Sequence, residues 1–142
     1  MFKKIFLPVD LAQESSWKKS LPVAVKLAQE NKAKLAVFTV VPDLDMTLVG
    51  PFLPVDHQLN MMKEAEQNLK GLIAREIPDD VNALAYVRHG KRVYRQIVKA
   101  AGELGADLIV LASHRPENKD YLIGPNAAQV MRHFPQSVFV VR

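Results

Sequence analysis

The sequence contains no cysteine, which excludes a disulfide framework and any metal site built on thiolates. This absence fits a reducing compartment. No apolar run approaches the roughly 18 residues that a membrane-spanning helix needs. The apolar stretch near the start ends at Pro8 and Asp10, with no small-residue cleavage site after it, so it predicts a first strand rather than a signal sequence. We therefore expect a cytoplasmic protein.

The composition is that of an ordinary globular domain. The chain has 142 residues, of which 49% are apolar and 24% charged, and this predicts one domain, residues 1–142, with a real core. The net charge of +4 is modest, and the lysines are scattered. A nucleic-acid binder more often shows a dense basic stripe with interleaved aromatics, so we expect neither a nucleic-acid partner nor a membrane partner.

One cluster of cations stands out from this scatter. Its members are Arg88, His89, Lys91, Arg92 and Arg95. Two interpretations stay open: a solvated face, or a site for an anionic ligand or partner. The second has a physical basis, because cations at a helix start oppose the helix dipole unless something negative lies there.

Strand-like runs alternate with helix-like stretches, which predicts a parallel α/β sheet. The strands are predicted at residues 2–9, 35–41, 84–88, 107–112 and 137–141. The helices are predicted at residues 15–31, 56–76, 91–104 and 124–133. Ser15 and Ser16 are the capping candidates of the first helix, and Pro22 predicts either a bend in it or its true first turn.

The segment 42–54 has no secondary-structure period. It contains three prolines and one glycine, yet it carries several large apolar side chains. A lid or a subunit contact and simple packing over the core are both open interpretations.

The predicted fold indicates where a ligand would bind. In an open sheet of this kind, ligands lie beyond the carboxyl ends of the strands, where the strand order reverses. Asp10, the pair Val41 and Pro42, and the loop from Ser113 onward follow the strands concerned. This argument gives a position and no ligand.

The loop that leads into the last helix suits phosphate. The helix start at Gly124 and Pro125 offers free backbone N–H groups and the positive end of the dipole. Ser113 and Asn126 supply neutral donors, and the Arg115 guanidinium can chelate phosphate oxygens. The alternative is an ordinary helix start, with proline at its first position, and a plain surface arginine.

Asp10 would repel phosphate at close range. Its carboxylate suits a ribose hydroxyl or an adenine amino group, because both donate hydrogen bonds. The alternative is that Asp10 only caps or closes a turn.

An ordered set of short motifs carries a family resemblance along the whole chain. The motifs are Leu-Pro-Val-Asp at 7–10, Thr-Val-Val-Pro at 39–42, Gly-Ala-Asp-Leu-Ile-Val at 105–110, Ala-Ser-His-Arg-Pro at 112–116, Tyr-Leu-Ile-Gly-Pro-Asn-Ala-Ala at 121–128 and Ser-Val-Phe-Val-Val-Arg at 137–142. Together they resemble the universal stress protein family, and most closely its small bacterial single-domain subgroup with Ser-His-Arg-Pro after the fourth strand.

The resemblance implies an open five-stranded parallel sheet of order 3-2-1-4-5 flanked by four helices, similar to the adenine-nucleotide α-hydrolases. It also implies a homodimer formed by antiparallel pairing of the last strand across a two-fold axis. The residues themselves support an edge contact, since an apolar edge strand invites pairing with another chain. That strand contributes Val138, Phe139, Val140 and Val141.

The family has one branch that binds ATP and one that does not. In the ATP-binding branch, the residue matching Asp10 holds the adenosine, the backbone at Val41 meets adenine, and a glycine-rich loop wraps ribose and phosphates. The resemblance thus implies ATP, with or without Mg²⁺, as the ligand. The implied nucleotide-binding residues are Pro8, Val9, Asp10, Val41, Ala112, Ser113, His114, Arg115, Gly124, Pro125, Asn126 and Ala127.

This chain departs from the ATP motif, which is Gly-x-x-Gly, nine residues, then Gly-Ser or Gly-Thr. Ala112 and Arg115 stand at the first two glycines, and eight residues separate Arg115 from Gly124. Pro125 replaces the hydroxyl residue and removes a backbone N–H. Each lost hydrogen bond to a charged ligand costs about 1.5–3 kcal/mol, roughly ten- to a hundredfold in affinity. Asn126 can recover part of this loss.

The sequence shows no constellation for efficient catalysis. It has no Walker-type loop, no Gly-x-Ser-x-Gly elbow and no His-Glu-x-x-His, and its four histidines are spread at 57, 89, 114 and 133. We predict a stress-linked, ATP-binding regulatory protein that acts through nucleotide-dependent interactions. The alternatives are a dimeric scaffold of the same fold that binds no nucleotide and, as a weaker one, a slow phosphohydrolase.

Overall fold

The computed structural model describes residues 1–43, 52, 56–113 and 125–142. The strands are β1 (Lys4–Pro8), β2 (Lys34–Pro42), β3 (Ala83–Gly90), β4 (Leu108–Ala112) and β5 (Ser137–Val141). The helices are α1 (Ser20–Asn31), α2 (His57–Glu76), α3 (Val93–Leu104) and α4 (Pro125–His133). A short 3-10 turn, Glu14–Ser16, precedes α1.

The strands form one parallel sheet in the order β3-β2-β1-β4-β5. In the middle strand, Phe6 lies opposite Ala36 of β2 and Ile109 of β4. The predicted five-stranded parallel α/β fold with order 3-2-1-4-5 and four helices is confirmed.

Each inner strand is apolar on both faces because helices cover the sheet on both sides. Ile5 and Leu7 of β1 point into a core that also contains the buried residues of α1 and α2. Phe6, between them, points to the opposite face and into a second core with buried residues of α3 and α4. On that second face the ring of Phe38 lies 4.9 Å from that of Phe6 and 5.6 Å from that of Tyr86.

The predicted start of the first helix is wrong. Neither serine caps it, because Ser16 Oγ accepts a hydrogen bond from the Asp10 N–H at 2.8 Å within the turn after β1. The helix begins only at Ser20, and Pro22 lies in its first turn, where a missing N–H is tolerated. The second of the two roles considered for Pro22 is therefore the correct one.

The other boundaries differ by small amounts. α3 begins at Val93 instead of 91, because Arg92 has a φ of 56° and so lies outside the helix. β3 is longer than predicted, since all of its residues from Ala83 to Gly90 pair with β2.

Two segments named in the sequence analysis lie outside the described residues for the most part. Of the segment 42–54, only Pro42, Asp43 and Phe52 are described, and Phe52 is exposed. The loop residues 114–124 lie outside them entirely. Among the helices that are described, none is both long and apolar enough to cross a membrane.

Candidate functional site

A cavity of about 460 Å³ opens at the carboxyl edge of the sheet, where β1, β2 and β4 end. Its volume lies within the range of roughly 300–1,000 Å³ that is usual for small-molecule sites. The lining residues are Pro8, Val9, Asp10, Ala12, Ser16, Phe38, Thr39, Val40, Pro42, Val93, Ile97, Leu111, Ala112 and Asn126.

The sheet order explains the position of this cavity. β1 pairs with β2 on one side and with β4 on the other, so the chain winds away in opposite directions from β1. The connections leaving such a switch point diverge and leave a crevice beyond the carboxyl ends of the strands. The position expected from the sequence is thus where the cavity lies.

The wall beneath α3 is apolar. Phe38 is fully buried and Leu111 is 5% exposed, while Ile97 closes the cavity from the helix above. Val93, one helical turn before Ile97, is 44% exposed and lines the mouth. A flat, largely apolar ring system fits such walls better than a polar or charged group does.

Asp10 has a structural and a potential binding role at once. Its Oδ1 accepts a hydrogen bond from the Ala12 N–H at 2.9 Å, and its carbonyl accepts one from the Gln13 N–H at 3.0 Å. The residue therefore closes a turn, which is the alternative weighed for it from the sequence. It is also exposed and lines the cavity, so its carboxylate can accept hydrogen bonds from a ligand.

The end of β2 is held from two sides. The Gln58 amide on α2 donates a hydrogen bond to the Pro42 carbonyl at 3.3 Å. Asp43, the next residue, pairs with His89 at the end of β3. Thr39 and Pro42 line the cavity, whereas Val41 is 6% exposed and is not among the lining residues.

Only some of the binding residues predicted at the end of β4 and the start of α4 line the cavity. Ala112 and Asn126 line the cavity. The Ser113 N–H donates to the Val141 carbonyl at 2.8 Å and so continues the pairing of β4 with β5. Pro125 is exposed at the first position of α4, and Ala127 is buried in the second core, and neither lines the cavity.

Three predicted binding residues, His114, Arg115 and Gly124, lie outside the described residues. The phosphate loop therefore stays a prediction. The described lining of the cavity contains one carboxylate, that of Asp10, and no lysine or arginine.

Sequence reasoning missed the contribution of α3. Val93 and Ile97 have the helical spacing of a core-facing stripe, but the first turn of α3 extends beyond the edge of the sheet, where this face borders the cavity. Ala12 and Ser16 were missed as well, because the turn after β1 was taken for a helix start. The signal for Val93 was its place at the helix start, above the strand ends.

The basic cluster forms a second concavity, of about 560 Å³, beside the first. The structure brings together all five residues predicted for it and adds Lys99. Tyr94 lies next to the cluster, and the hydrogen bond from Arg95 Nε to its hydroxyl, at 3.2 Å, lowers the pKa of Tyr94.

The part of the chain that the structure describes contains no cluster of potential metal ligands. No three histidine, aspartate or glutamate side chains there come close enough to hold an ion.

Comparisons with known proteins agree on one family. The model of the "Universal stress protein family" matches residues 1–142. Universal stress protein G of Shigella flexneri is 30% identical over 144 aligned residues, which cover 100% of both chains.

Solved structures share the fold. Universal stress protein UspA from Lactobacillus plantarum superimposes with a TM-score of 0.74 at 24% identity, covering 99% of this chain and 97% of that one. A universal stress protein from Archaeoglobus fulgidus in complex with dAMP gives 0.68 at 18% identity, covering 99% and 98%. A universal stress protein in complex with cAMP superimposes with a TM-score of 0.63 at 22% identity, covering 99% of this chain and 97% of that one.

Proposed function

Because the chain belongs to the universal stress protein family, we propose that it binds an adenine nucleotide, with ATP as the leading candidate, in the cavity at the carboxyl edge of its sheet. The observation that carries this proposal is the cavity itself, whose described lining combines apolar walls with one carboxylate at the switch point of the sheet. The complexes of family members with cAMP and dAMP add support, since both ligands contain adenine, a sugar and one phosphate.

The lining supports a separate place for each part of the proposed nucleotide. Adenine packs between the apolar side chains of β2 and α3, where Val40 and Val93 lie on the two sides. The Asp10 carboxylate accepts hydrogen bonds from the sugar hydroxyls or the adenine amino group. Asn126, in the first turn of α4, donates from its side-chain amide to a phosphate near the positive end of the helix dipole.

The phosphates contribute less to the proposed binding than the nucleoside does. The described lining supplies no cation, so charge compensation for a triphosphate falls to α4 and to the predicted contact of Arg115. The nucleoside therefore supplies most of the affinity, and the phosphates add less than in relatives with the full glycine and hydroxyl motif. Any Mg²⁺ would be held chiefly by the phosphates themselves.

We extend the proposal to the role of the whole protein. Residues 1–142 act as one domain in a cytoplasmic, stress-linked regulator whose contacts with other proteins depend on the bound nucleotide. Two copies associate through the outer edge of β5, where Phe139 is 45% exposed and its three apolar neighbours are half-buried. Exposed apolar edge strands favour such pairing.

A second candidate is a dimeric scaffold of the same fold that binds no nucleotide. Pro125 at the first position of α4 favours it, because the residue lacks both the N–H and the hydroxyl that would hold a phosphate. The two candidates differ in one directly measurable property, which is nucleotide content.

Acid extraction of the purified protein separates them. The protein is isolated without added nucleotide, precipitated with acid, and the supernatant is run on an anion-exchange column beside ATP, ADP and AMP standards. We expect one adenine nucleotide at close to one equivalent per chain. An extract without nucleotide, together with no heat signal on adding ATP, would leave the scaffold as the function.

A further inference from the structure

Four cations form a face at the start of α3 that the proposed nucleotide site does not use. This basic face consists of Lys91, Arg92, Arg95 and Lys99, and all four side chains are exposed. Arg95 and Lys99 are spaced at i and i+4 on one side of α3, and Arg92 directly precedes the helix, three positions before Arg95. The distance from the first to the last along the axis is about 10 Å at 1.5 Å per residue.

The other charges in the same concavity already have partners. Arg88 pairs with Glu103, and its Nε also donates to the Tyr86 hydroxyl at 2.9 Å. His89 pairs with Asp43. Among the described residues, the two acidic groups beside the basic face, Asp43 and Glu103, are thus paired with side chains that do not belong to it.

The basic face itself has no acidic partner among the described residues. None of its four cations forms an ion pair there, and Arg95 instead donates a hydrogen bond to the Tyr94 hydroxyl. The adjoining end of α4 adds Arg132 and His133 and no carboxylate. The neighbouring turn of α4 therefore supplies no countercharge to the basic face.

Such an arrangement is unfavourable in the isolated chain. Like charges at i, i+3 and i, i+4 on a helix repel each other. Cations in a first turn are also disfavoured by the positive end of the helix dipole. An anionic partner relieves both effects at once.

The surroundings favour a protein partner over a small ligand. A small-molecule site encloses most of its ligand, whereas these four cations are all exposed. Tyr94 is half-buried, and the Arg95 guanidinium lies 6.0 Å from the centroid of its ring, so aromatic contact area adjoins the basic face. Arginine and tyrosine are the residues that protein interfaces select for, and they often carry much of the binding energy.

The same surroundings disfavour nucleic acid. Binding to a phosphate backbone draws on many cations along an extended track. The basic face is only about 10 Å long, and Asp43 and Glu103 stand at its border.

From these observations we propose that the basic face of α3 docks an acidic segment of a partner protein, with Arg92 and Arg95 pairing with its carboxylates and Tyr94 contacting an apolar side chain beside them. None of the four cations lines the cavity that would hold the nucleotide, so a failure of this proposal and a failure of nucleotide binding are distinguishable.

The probe for this surface is a fluorescein-labelled peptide of twelve residues in which glutamate alternates with leucine. Its binding to the full chain is followed by fluorescence anisotropy at low and at physiological salt. We expect the double variant Arg92→Glu/Arg95→Glu to bind at least tenfold more weakly. The matched control Lys26→Glu/Lys63→Glu makes the same change in net charge at exposed positions on α1 and α2, and it should lose less than twofold.

Three further measurements make the test specific. Circular dichroism establishes that each variant folds, and Arg92→Gln/Arg95→Gln replaces the charge-reversal variant if that one does not. A peptide with glutamine in place of glutamate should fail to bind. A hexanucleotide of single-stranded DNA should bind more weakly than the acidic peptide.

Other outcomes would overturn the proposal. Equal losses in the test and control variants would show that only net charge matters. Binding of the glutamine peptide would show that the contact is apolar. Tighter binding of the hexanucleotide, lost in the same arginine variant, would reassign the surface to nucleic acid.

Discussion

Asp10 combines two tasks in a single side chain. One carboxylate oxygen accepts the Ala12 N–H and so fixes the turn after β1, while the residue also lines the cavity beneath α3. In the sequence analysis, closing a turn and binding a ligand were alternative roles for Asp10. In the structure its position is compatible with both roles. A carboxylate allows this because each of its two oxygens accepts hydrogen bonds.

Replacing Asp10 with asparagine separates the two tasks. The amide oxygen of Asp10→Asn keeps the bond from the Ala12 N–H, whereas its NH₂ group opposes a hydrogen-bond donor on the ligand. We expect the affinity for a fluorescent ATP analogue, measured by anisotropy, to fall by about ten- to a hundredfold, from the loss of about 1.5–3 kcal/mol. The urea midpoint of unfolding should change little. Unchanged nucleotide affinity in a folded variant would remove Asp10 from the site.

Pro125 tests the phosphate half of the site. The variant Pro125→Ser restores an N–H and adds a hydroxyl at the first position of α4, where a serine is well tolerated. ATP affinity should rise by about tenfold or more, because hydrogen bonds to charged groups contribute about 1.5–3 kcal/mol each. Adenosine affinity serves as the control and should not move. An equal gain for adenosine and ATP would contradict a phosphate contact at this position.

At the scale of the elements, α1 and α3 end in the same way. Lys32 and Gly105 both adopt left-handed backbone angles, with φ of 54° and 71°. The residue after each then donates its N–H to a carbonyl in the last turn, Ala33 to Ala28 at 2.9 Å and Ala106 to Ala101 at 2.9 Å. Glycine suits this conformation, and α1 has a lysine there instead.

This difference predicts opposite effects of two substitutions. Lys32→Gly should stabilise the protein by up to about 1 kcal/mol, since it relieves the left-handed conformation of a residue with a side chain. Gly105→Ala should destabilise it by about 1 kcal/mol for the same reason. Urea denaturation gives both values. A loss of stability in Lys32→Gly would mean that the lysine side chain makes a compensating contact.

The elements were predictable where the pattern was strong. Apolar runs covered on both faces, such as β2, and the helical spacing of α3 gave the type and approximate extent of each element. The start of α1 was not predictable, since Ser15 and Ser16 have the chemistry of capping residues and only the turn after β1 removes Ser16 from that role. The strand order came from the family resemblance, because local patterns do not encode which strands pair.

The candidate site was predictable to a similar degree. Its position followed from strand ends and sheet topology, and Pro8, Val9, Asp10, Ala112 and Asn126 do line the cavity. Val93 could not be predicted as a lining residue from the sequence. An apolar residue in a core-facing stripe gives the same sequence pattern whether it packs on the sheet or lies beyond the ends of the strands. The basic cluster was visible because its first members are close in sequence, whereas Lys99 joins it only through the helical repeat.

At the scale of the whole molecule, the sheet leaves two outer strands, β3 and β5. β5 carries Phe139, 45% exposed, on a strand whose outer edge pairs with no strand in the part of the chain that the structure describes. A pair of such edges satisfies the free backbone groups of both copies and covers apolar side chains.

The proposed dimer is tested at this strand. Phe139→Lys places a charge on the proposed contact in both copies and should convert a dimer into a monomer in light scattering. Leu59→Lys is the control, because Leu59 on α2 is 54% exposed and lies outside the proposed interface. A Phe139→Lys variant that stays dimeric would reject this edge as the interface, as would a control that dissociates equally.

The central claim is that the cavity at the carboxyl edge binds an adenine nucleotide, and calorimetry tests it most directly. Nucleotide-free full-length protein is titrated with ATP, and with GTP as the control for base selectivity. We predict one ATP site per chain, with clearly weaker binding of GTP because the guanine edge presents a carbonyl where adenine presents an amino group. An absence of heat with both nucleotides, in protein shown to be folded and free of bound ligand, would contradict the claim.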